Sequence, residues 1–139
     1  MKSAKIYLEH ANITVKNVDE SVKFFTTAFP HFKVRGGGFT SRKWIHLGDD
    51  VTYIALNEED QTDFEKNYDT NGINHIGFVV EDVASIGERL KAAGYKRSYP
   101  KQIQPSRIRD YFQDADGIEY EFVEYLTEDV AQRNDYDDE

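Results

Sequence analysis

Cysteine is absent from the 139-residue sequence, and proline, methionine and tryptophan are scarce, with three, one and one residues. A chain without cysteine forms no disulfide, thiolate nucleophile or iron–sulfur cluster, so any bound metal must be held by nitrogen and oxygen atoms. No stretch approaches the roughly 20 apolar residues of a membrane span. Glu9 and His10 also come too early for a signal peptide. We therefore expect a cytoplasmic protein.

Basic residues are also fewer than acidic ones. Seventeen Lys and Arg face 26 Asp and Glu, which gives a net charge of −9. Such a chain repels phosphate backbones and anionic lipid, so we expect no nucleic-acid or membrane partner. The last twelve residues alone carry −5. They predict an acidic tail, 127–139, that is a solvated, frayed end after a short helical start.

The sequence has enough apolar residues for one globular domain spanning 1–139, because 39% of it is hydrophobic and 14% aromatic. It also repeats itself. Each half opens with a strand-like run that contains a histidine, and each histidine is followed eight residues later by the first apolar residue of a helical pattern. The pairs are His10 with Val18 and His75 with Val83.

The two helical patterns have amphipathic spacing and recognisable ends. Their apolar stripes are Val18, Val22, Phe25 and Phe29 in the first half, and Val83, Ile86, Leu90 and Ala93 in the second. Asn17 and Asp82 suit the N-terminal caps, and Pro30 and Gly94 suit the C-terminal stops. Gly87 inside the second helix costs about 1 kcal/mol relative to alanine.

Three short strand-like runs follow each helix. They are HFKVRG, KWIHLG and VTYIALN in the first half, and YKRSY, RIRDYFQ and IEYEFVEY in the second. Glycines 36–38 are interpreted as a flexible turn and 100–105 as a loop. The sequence thus predicts an α+β fold of two paired βαβββ modules, at 6–57 and 73–126, with a polar linker at 58–72. Together they would form a cupped eight-stranded sheet around a ligand cavity.

The alternation of side chains along each strand indicates which residues share a face and could form a functional site. His10 shares a strand face with Asn12 and Thr14. On the last strand Glu119 and Glu121 share one face and Glu124 takes the other, so we expect one of these carboxylates to face solvent. The repeat can bring His10 and His75 together. Two imidazoles and one carboxylate suit divalent iron, manganese, nickel, cobalt or zinc, although a lone strand histidine is usually just a hydrogen-bonded residue.

Two further groups are weaker candidates. Trp44 and His46 share a strand face and could bind a ligand, or Trp44 could be core and His46 rim. Arg107, Arg109 and Tyr111 also share a face. Such an arginine pair could hold a carboxylate or phosphate, although a stripe of this kind is more often a solvated sheet face.

Three segments, LEHANITVKNVDESVKFF, NHIGFVVEDV and DADGIEYEFVE, resemble the vicinal oxygen chelate superfamily of glyoxalases, bleomycin-resistance proteins and ring-cleaving dioxygenases. In the last segment Ala115 stands where that family usually has proline. The resemblance implies metal ligands at His10, His75 and Glu121, with Glu121 also the catalytic carboxylate. The family's fourth ligand position falls on Tyr53 or Ala55, neither of which is a usual ligand. The resemblance also implies a homodimer.

We therefore hypothesise a divalent-metal-dependent lyase, isomerase or dioxygenase that acts on a small oxygenated substrate. Trp44, His46, Tyr53 and Arg109 are the predicted substrate-binding residues. The alternative is a metal-free small-molecule binding protein of the bleomycin-resistance type. A third possibility is a regulatory or partner-binding domain without chemistry.

Overall fold

The computed structural model of the protein describes residues 6–60, 69 and 71–136. The chain divides into two compact units, Met1–Phe64 and Glu65–Glu139, and each has one sheet and at least one helix. The boundary lies within the predicted linker 58–72, of which positions 61–68 and 70 fall outside the described residues. No helix in the described part of the chain is long and apolar enough to cross a membrane.

The first unit has the predicted βαβββ order. Its elements are β1 (His10–Val15), α1 (Val18–Ala28), β2 (Lys33–Phe39), β3 (Lys43–Gly48) and β4 (Tyr53–Glu58). The sheet order is β1-β4-β3-β2, in which β1 runs parallel to β4 and the other pairs are antiparallel. Strand β1, which begins at His10, therefore lies at one edge of the sheet, beside β4.

Helix α1 begins where its cap predicts. The Asn17 side chain accepts a hydrogen bond from the Glu20 amide at 3.0 Å, which satisfies one of the free amides at the helix start. The helix buries Val18, Ser21, Phe24, Phe25 and Ala28. Val22, predicted for the apolar stripe, is only half-buried. The buried face is therefore rotated slightly from the predicted one.

The predicted glycine turn at 36–38 is wrong, because these residues lie inside β2. Gly36 pairs with His46 and Gly38 with Trp44. A Cβ atom at Gly38 would lie 3.4 Å from Trp44 Nε1, so the indole occupies the space that the missing side chain leaves. The chain reverses later, where the Thr40 amide bonds to the Arg42 carbonyl.

The second unit also begins with a strand and a helix. Its elements are β5 (His75–Val79), α2 (Val83–Ala92), β6 (Lys96–Arg97), β7 (Gln102–Gln104), β8 (Arg107–Gln113), β9 (Glu119–Tyr125) and α3 (Val130–Arg133). The sheet order is β5-β9-β8-β6, with β7 also paired to β8. The predicted loop at 100–105 thus contains a short strand, because the chain folds back there to pair with β8. The described residues form nine strands in two sheets rather than the predicted eight in one.

Helix α2 has the predicted ends. The Asp82 side chain accepts from the Ser85 amide at 3.2 Å, and Gly94 adopts a φ of 92°, which an L side chain rarely adopts. The buried residues are Val83, Ile86, Gly87 and Leu90. Ala93, predicted for the apolar stripe, is exposed because the helix ends at Ala92 and residue 93 forms its cap.

The acidic tail packs further than the sequence suggests. Its short helix α3 is present as predicted. Beyond it the Asp135 carbonyl accepts a hydrogen bond from Arg107 Nη1 at 2.7 Å, and the Tyr136 ring lies 4.1 Å from the Arg107 guanidinium carbon. Residues 134–136 are exposed, in keeping with the predicted solvated end, but the chain is not frayed up to Tyr136, because this ring lies against the buried Arg107. Residues 137–139 lie outside the described part of the chain.

Candidate metal and ligand site

His75 and Glu121 meet on one face of the second sheet. Strands β5 and β9 are parallel neighbours in which His75 pairs with Glu119 and Gly77 with Glu121. His75 Nε2 lies 3.0 Å from Glu121 Oε1, and the side chains are 29% and 15% exposed. A Cβ atom at Gly77 would lie 3.8 Å from Glu121 Oε1, so the absence of a side chain at Gly77 leaves space beside this carboxylate.

Two more side chains complete the surroundings of this pair. Tyr111 lies directly opposite Glu121 on β8, and its ring meets the His75 ring edge-on at 5.6 Å. Burial raises the pKa of the Tyr111 phenol, and so do the charge of Glu121 and the hydrogen bond to it. Tyr111 therefore stays protonated and donates to Glu121. Glu119 Oε1, 4.0 Å from His75 Nδ1, is buried without a hydrogen-bond partner.

This donor set fits part of a divalent-cation site. An imidazole nitrogen faces a carboxylate oxygen, and a second carboxylate oxygen close by is buried and unsatisfied, which is costly unless a cation or proton compensates it. Among residues 6–60, 69 and 71–136, however, no three His, Asp or Glu side chains are grouped so that they could hold a metal ion. The third predicted ligand, His10, belongs to the first unit.

In the first unit, four side chains that were predicted to bind the metal or the substrate form a row of ring contacts on one sheet face, which we call the aromatic row. The His10 ring stacks on Tyr53 with centroids 4.6 Å apart, Tyr53 lies 4.9 Å from His46, and His46 lies 4.9 Å from Trp44. The guanidinium carbon of Arg35 lies 4.4 Å from the centre of the Tyr53 ring. Trp44 and His46 are both half-buried, so Trp44 does not lie fully in the core and His46 does not lie fully at the rim.

The strand registers identify the fourth ligand position. His10 pairs with Tyr53 in the first unit as His75 pairs with Glu119 in the second. Two residues further on, the counterpart of Glu121 is therefore Ala55, which pairs with Asn12. A methyl group cannot bind a metal, so the first unit offers no carboxylate at this position.

The arginine stripe is buried. Arg107 is 0% and Arg109 7% exposed, so the solvated-face interpretation is wrong. Both guanidinium groups lie against the Tyr136 ring, at 4.1 and 5.2 Å. Arg109 and Tyr111 stand two residues apart on β8, next to the His75 and Glu121 pair. A buried arginine here can recognise an anionic group.

A second feature is duplicated and was not predicted from the sequence: a glutamate caps the helix of the opening strand–helix pair in each unit. Glu58 Oε2 accepts from the Val18 amide, and Glu124 Oε1 accepts from the Val83 amide, both at 3.0 Å. The expectation that one of the three carboxylates on β9 faces solvent is wrong, because Glu124 points to the start of α2 and none of the three is fully exposed. The sequence contains a signal for them, since the two glutamates stand three residues after equivalent positions of the two units, Ala55 and Glu121.

The turn before β9 contains a carboxyl group with a shifted pKa. Asp114 Oδ1 accepts from the Asp116 and Ile118 amides at 2.9 Å, whereas Oδ2 is buried without a partner. Burial raises the pKa of Asp114 to about 6 from 3.8. The folded protein therefore holds this proton more tightly than the unfolded chain does. This tighter proton binding adds to the free energy of unfolding. The contribution is complete below about pH 3.8 and is lost as the pH rises through about 6.

We expect Asp114→Asn to stabilise the protein at pH 7.5 by up to about 3 kcal/mol relative to its effect at pH 3.5, because the amide carries no charge to bury. Urea unfolding at the two pH values measures this difference. Asp50→Asn, which removes an exposed carboxylate, controls for the loss of one negative charge. Equal effects of Asp114→Asn at both pH values would contradict the prediction.

The family model for the Glyoxalase/Bleomycin resistance protein/Dioxygenase superfamily matches residues 7–122. The chain therefore belongs to this superfamily, which confirms the family and the α+β fold indicated by the sequence resemblance. No curated protein sequence matches significantly.

Solved structures of the same fold resemble the chain along most of its length. A glyoxylase/bleomycin resistance protein/dioxygenase domain from Frankia sp. EAN1pec is 25% identical with a TM-score of 0.74, and the match covers 88% of this chain and 99% of that one. The fosfomycin resistance protein FosX from Listeria monocytogenes is 22% identical with a TM-score of 0.72, covering 94% and 99%. A variant of FosX in complex with Mn(II) and 1S,2S-dihydroxypropylphosphonic acid is 23% identical with a TM-score of 0.70, covering 96% and 98%.

Proposed function

We propose that the protein is a divalent-metal-dependent enzyme, a lyase, isomerase or dioxygenase, that acts on a small oxygenated substrate. The contact between His75 Nε2 and Glu121 Oε1 at 3.0 Å carries this proposal, because it joins two of the three predicted ligands. Superfamily membership supports it, as does the fold shared with FosX, which binds Mn(II).

In this proposal His10, His75 and Glu121 hold the metal, and Ala55 leaves the fourth position without a protein ligand. Three protein ligands leave coordination positions for water and substrate. The bound cation supplies Lewis acidity toward a substrate oxygen. Glu121 is the catalytic carboxylate, and the Tyr111 hydroxyl holds it in place by donating a hydrogen bond to it.

The buried Arg109 favours a substrate with an acidic group. An arginine beside the His75 and Glu121 pair can hold a carboxylate, phosphate or phosphonate through charge-assisted hydrogen bonds. The phosphonic acid bound in the FosX complex is a compound of this class. We assign the aromatic residues Trp44, His46 and Tyr53 to contacts with the remainder of the substrate.

The test is Mn(II) titration by calorimetry of protein prepared without a histidine tag and stripped with chelator. We expect one Mn(II) per chain. Absence of binding by Mn(II), Zn(II), Fe(II), Co(II) and Ni(II) would overturn the proposal. That result would favour a metal-free binding protein, a function supported by Ala55 and by the aromatic row of the first sheet.

We also propose that the protein is a homodimer. Edge strand β5 exposes Val79, which is 67% accessible, and a sheet edge with an exposed apolar side chain can pair with a second copy of the chain. Light scattering at micromolar concentration is expected to give twice the chain mass of 16.1 kDa. A species of 16.1 kDa under these conditions would contradict the proposal.

A further inference from the structure

Residues 127–136 follow the last strand of the second unit and form what we call the cover segment. Its first part is held together by contacts of its own. The Thr127 hydroxyl donates to Gln132 Oε1 at 2.6 Å, and Arg133 Nε donates to the Thr127 carbonyl at 2.8 Å. These bonds lie within 127–133, so they hold this part in shape whether or not the far end of the segment touches the sheet.

The far end of the cover segment lies on two buried arginines. The Asp135 carbonyl accepts from Arg107 Nη1 at 2.7 Å, and the Tyr136 ring lies 4.1 Å from the Arg107 guanidinium carbon and 5.2 Å from that of Arg109. The Tyr136 residue itself is 49% exposed, whereas the two arginines are almost fully buried. Tyr136 therefore lies between the solvent and the two guanidinium groups.

The covered arginines continue the row of polar side chains that contains the proposed catalytic carboxylate. Alternate residues of a strand point to the same face, so Arg107, Arg109 and Tyr111 lie side by side on β8. Tyr111 is directly opposite Glu121 on β9. Two residues of strand span about 7 Å, so a ligand group held by Arg109 is within reach of a small molecule that also contacts Glu121.

The contacts of the cover segment indicate which ligands can replace it. Arg107 Nη1 is bonded to a neutral carbonyl oxygen, and the Tyr136 ring attracts both cations only through its π face. A carboxylate, phosphate or phosphonate carries a full negative charge and attracts a guanidinium group more strongly. It can also accept two parallel hydrogen bonds from one arginine. An acidic ligand can therefore displace these contacts, whereas a neutral one gains little by doing so.

We propose that Tyr136 and the Asp135 carbonyl close an anion-binding site on Arg107 and Arg109, which an acidic ligand enters when residues 134–136 lift away. This inference rests on the proposed function only where that function assigns Arg109 to an acidic group of the substrate, and it requires no metal. Breaking a cation–π contact changes an equilibrium constant by about 2- to 30-fold. Opening is thus a small cost that a bound anion can offset.

The first measurement is calorimetric titration with methylphosphonate at pH 7.5, in phosphate-free buffer with chelator. In Tyr136→Ala the ligand no longer has to displace the ring, so this variant is expected to bind about 2- to 30-fold more tightly than the wild type. Tyr136→Phe retains the ring and should bind as the wild type does. The pair separates loss of the ring from loss of the hydroxyl group.

Two arginine variants, each in the Tyr136→Ala background, locate the bound anion. Arg109→Gln should abolish methylphosphonate binding, because the amide carries no positive charge. Arg42→Gln removes an exposed arginine of the first unit and should bind as its parent does. Circular dichroism checks that both proteins are folded. Retained binding by a folded Arg109→Gln protein would place the anion elsewhere and overturn the inference.

The second measurement needs no arginine substitution. Phenylglyoxal modifies accessible arginines, and peptide mass spectrometry follows each one separately. In the wild type Arg107 and Arg109 should react more slowly than the exposed Arg42. Tyr136→Ala should raise their rates relative to Arg42 at least about twofold, and methylphosphonate should protect them again. Unchanged relative rates would show that Tyr136 does not control access to these arginines, contrary to the inference.

The affinities also separate this inference from the proposed function. If Tyr136→Ala binds methylphosphonate no more tightly than the wild type, Tyr136 is not a cover; the inference is then wrong and Arg109 keeps its proposed role. If neither protein binds methylphosphonate, inorganic phosphate or acetate, the role proposed for Arg109 is wrong, and the inference falls with it.

Discussion

Replacing His75 by alanine is expected to abolish Mn(II) binding. The substitution removes the nitrogen that lies 3.0 Å from Glu121 and leaves the buried, unsatisfied oxygen of Glu119 without an imidazole beside it. A lost first ligand should cost more than the roughly 10- to 100-fold that follows loss of an outer partner. Calorimetric titration at pH 7.5 measures the change.

His31 provides the control for this experiment. Its Nε2 lies 3.5 Å from Asp49 Oδ2, and its side chain is 63% exposed. His31→Ala should therefore bind Mn(II) as the wild type does. Circular dichroism of both variants separates loss of the ligand from loss of the fold. If a folded His75→Ala protein keeps an affinity within about threefold of wild type, a difference of about 0.7 kcal/mol in binding free energy, His75 is not a ligand.

The features that the sequence predicts well are local ones. Asn17, Asp82 and Gly94 define helix ends through contacts within a few residues, so their effect can be derived from chain position alone. Strand alternation likewise places His10 and Trp44 on their faces. The repeat adds the equivalence of the two halves, which is why the strand and helix that open each unit were predicted correctly.

The features that the sequence does not predict depend on distant partners. Gly36 and Gly38 resemble a turn until the Trp44 side chain is known to lie against them. Strand β7 exists because residues 102–104 pair with β8, and its own sequence, QIQ, gives little strand signal. The choice of Ala55 over Tyr53 as the counterpart of Glu121 likewise requires a parallel register, which no single strand encodes.

For Gly87→Ala, helix propensity and tertiary packing predict opposite changes in the free energy of unfolding. By helix propensity alone, Gly87→Ala should stabilise the protein by about 1 kcal/mol. In the structure, however, a Cβ atom at Gly87 would lie 2.6 Å from Asp110 Oδ2 and 3.2 Å from Arg97 Nη2. Asp110 is 1% exposed and accepts two hydrogen bonds from Arg97, at 2.7 and 2.9 Å. The helix thus packs directly on an ion pair in which Asp110 is buried and the Arg97 side chain is 31% exposed.

We expect Gly87→Ala to destabilise the protein by roughly 3 to 5 kcal/mol, because the new methyl group must displace a buried carboxylate from its cation. Urea unfolding at pH 7.5 measures the change. Ala84→Gly, at an exposed position of the same helix, measures propensity alone and should cost about 1 kcal/mol. In an Asp110→Ala background the 2.6 Å contact with the carboxylate is absent and the Arg97 side chain is released from it, so Gly87→Ala should cost little or become stabilising. A Gly87→Ala protein as stable as the wild type would show that α2 can move away from the ion pair without loss, and that Gly87 is not fixed by this contact.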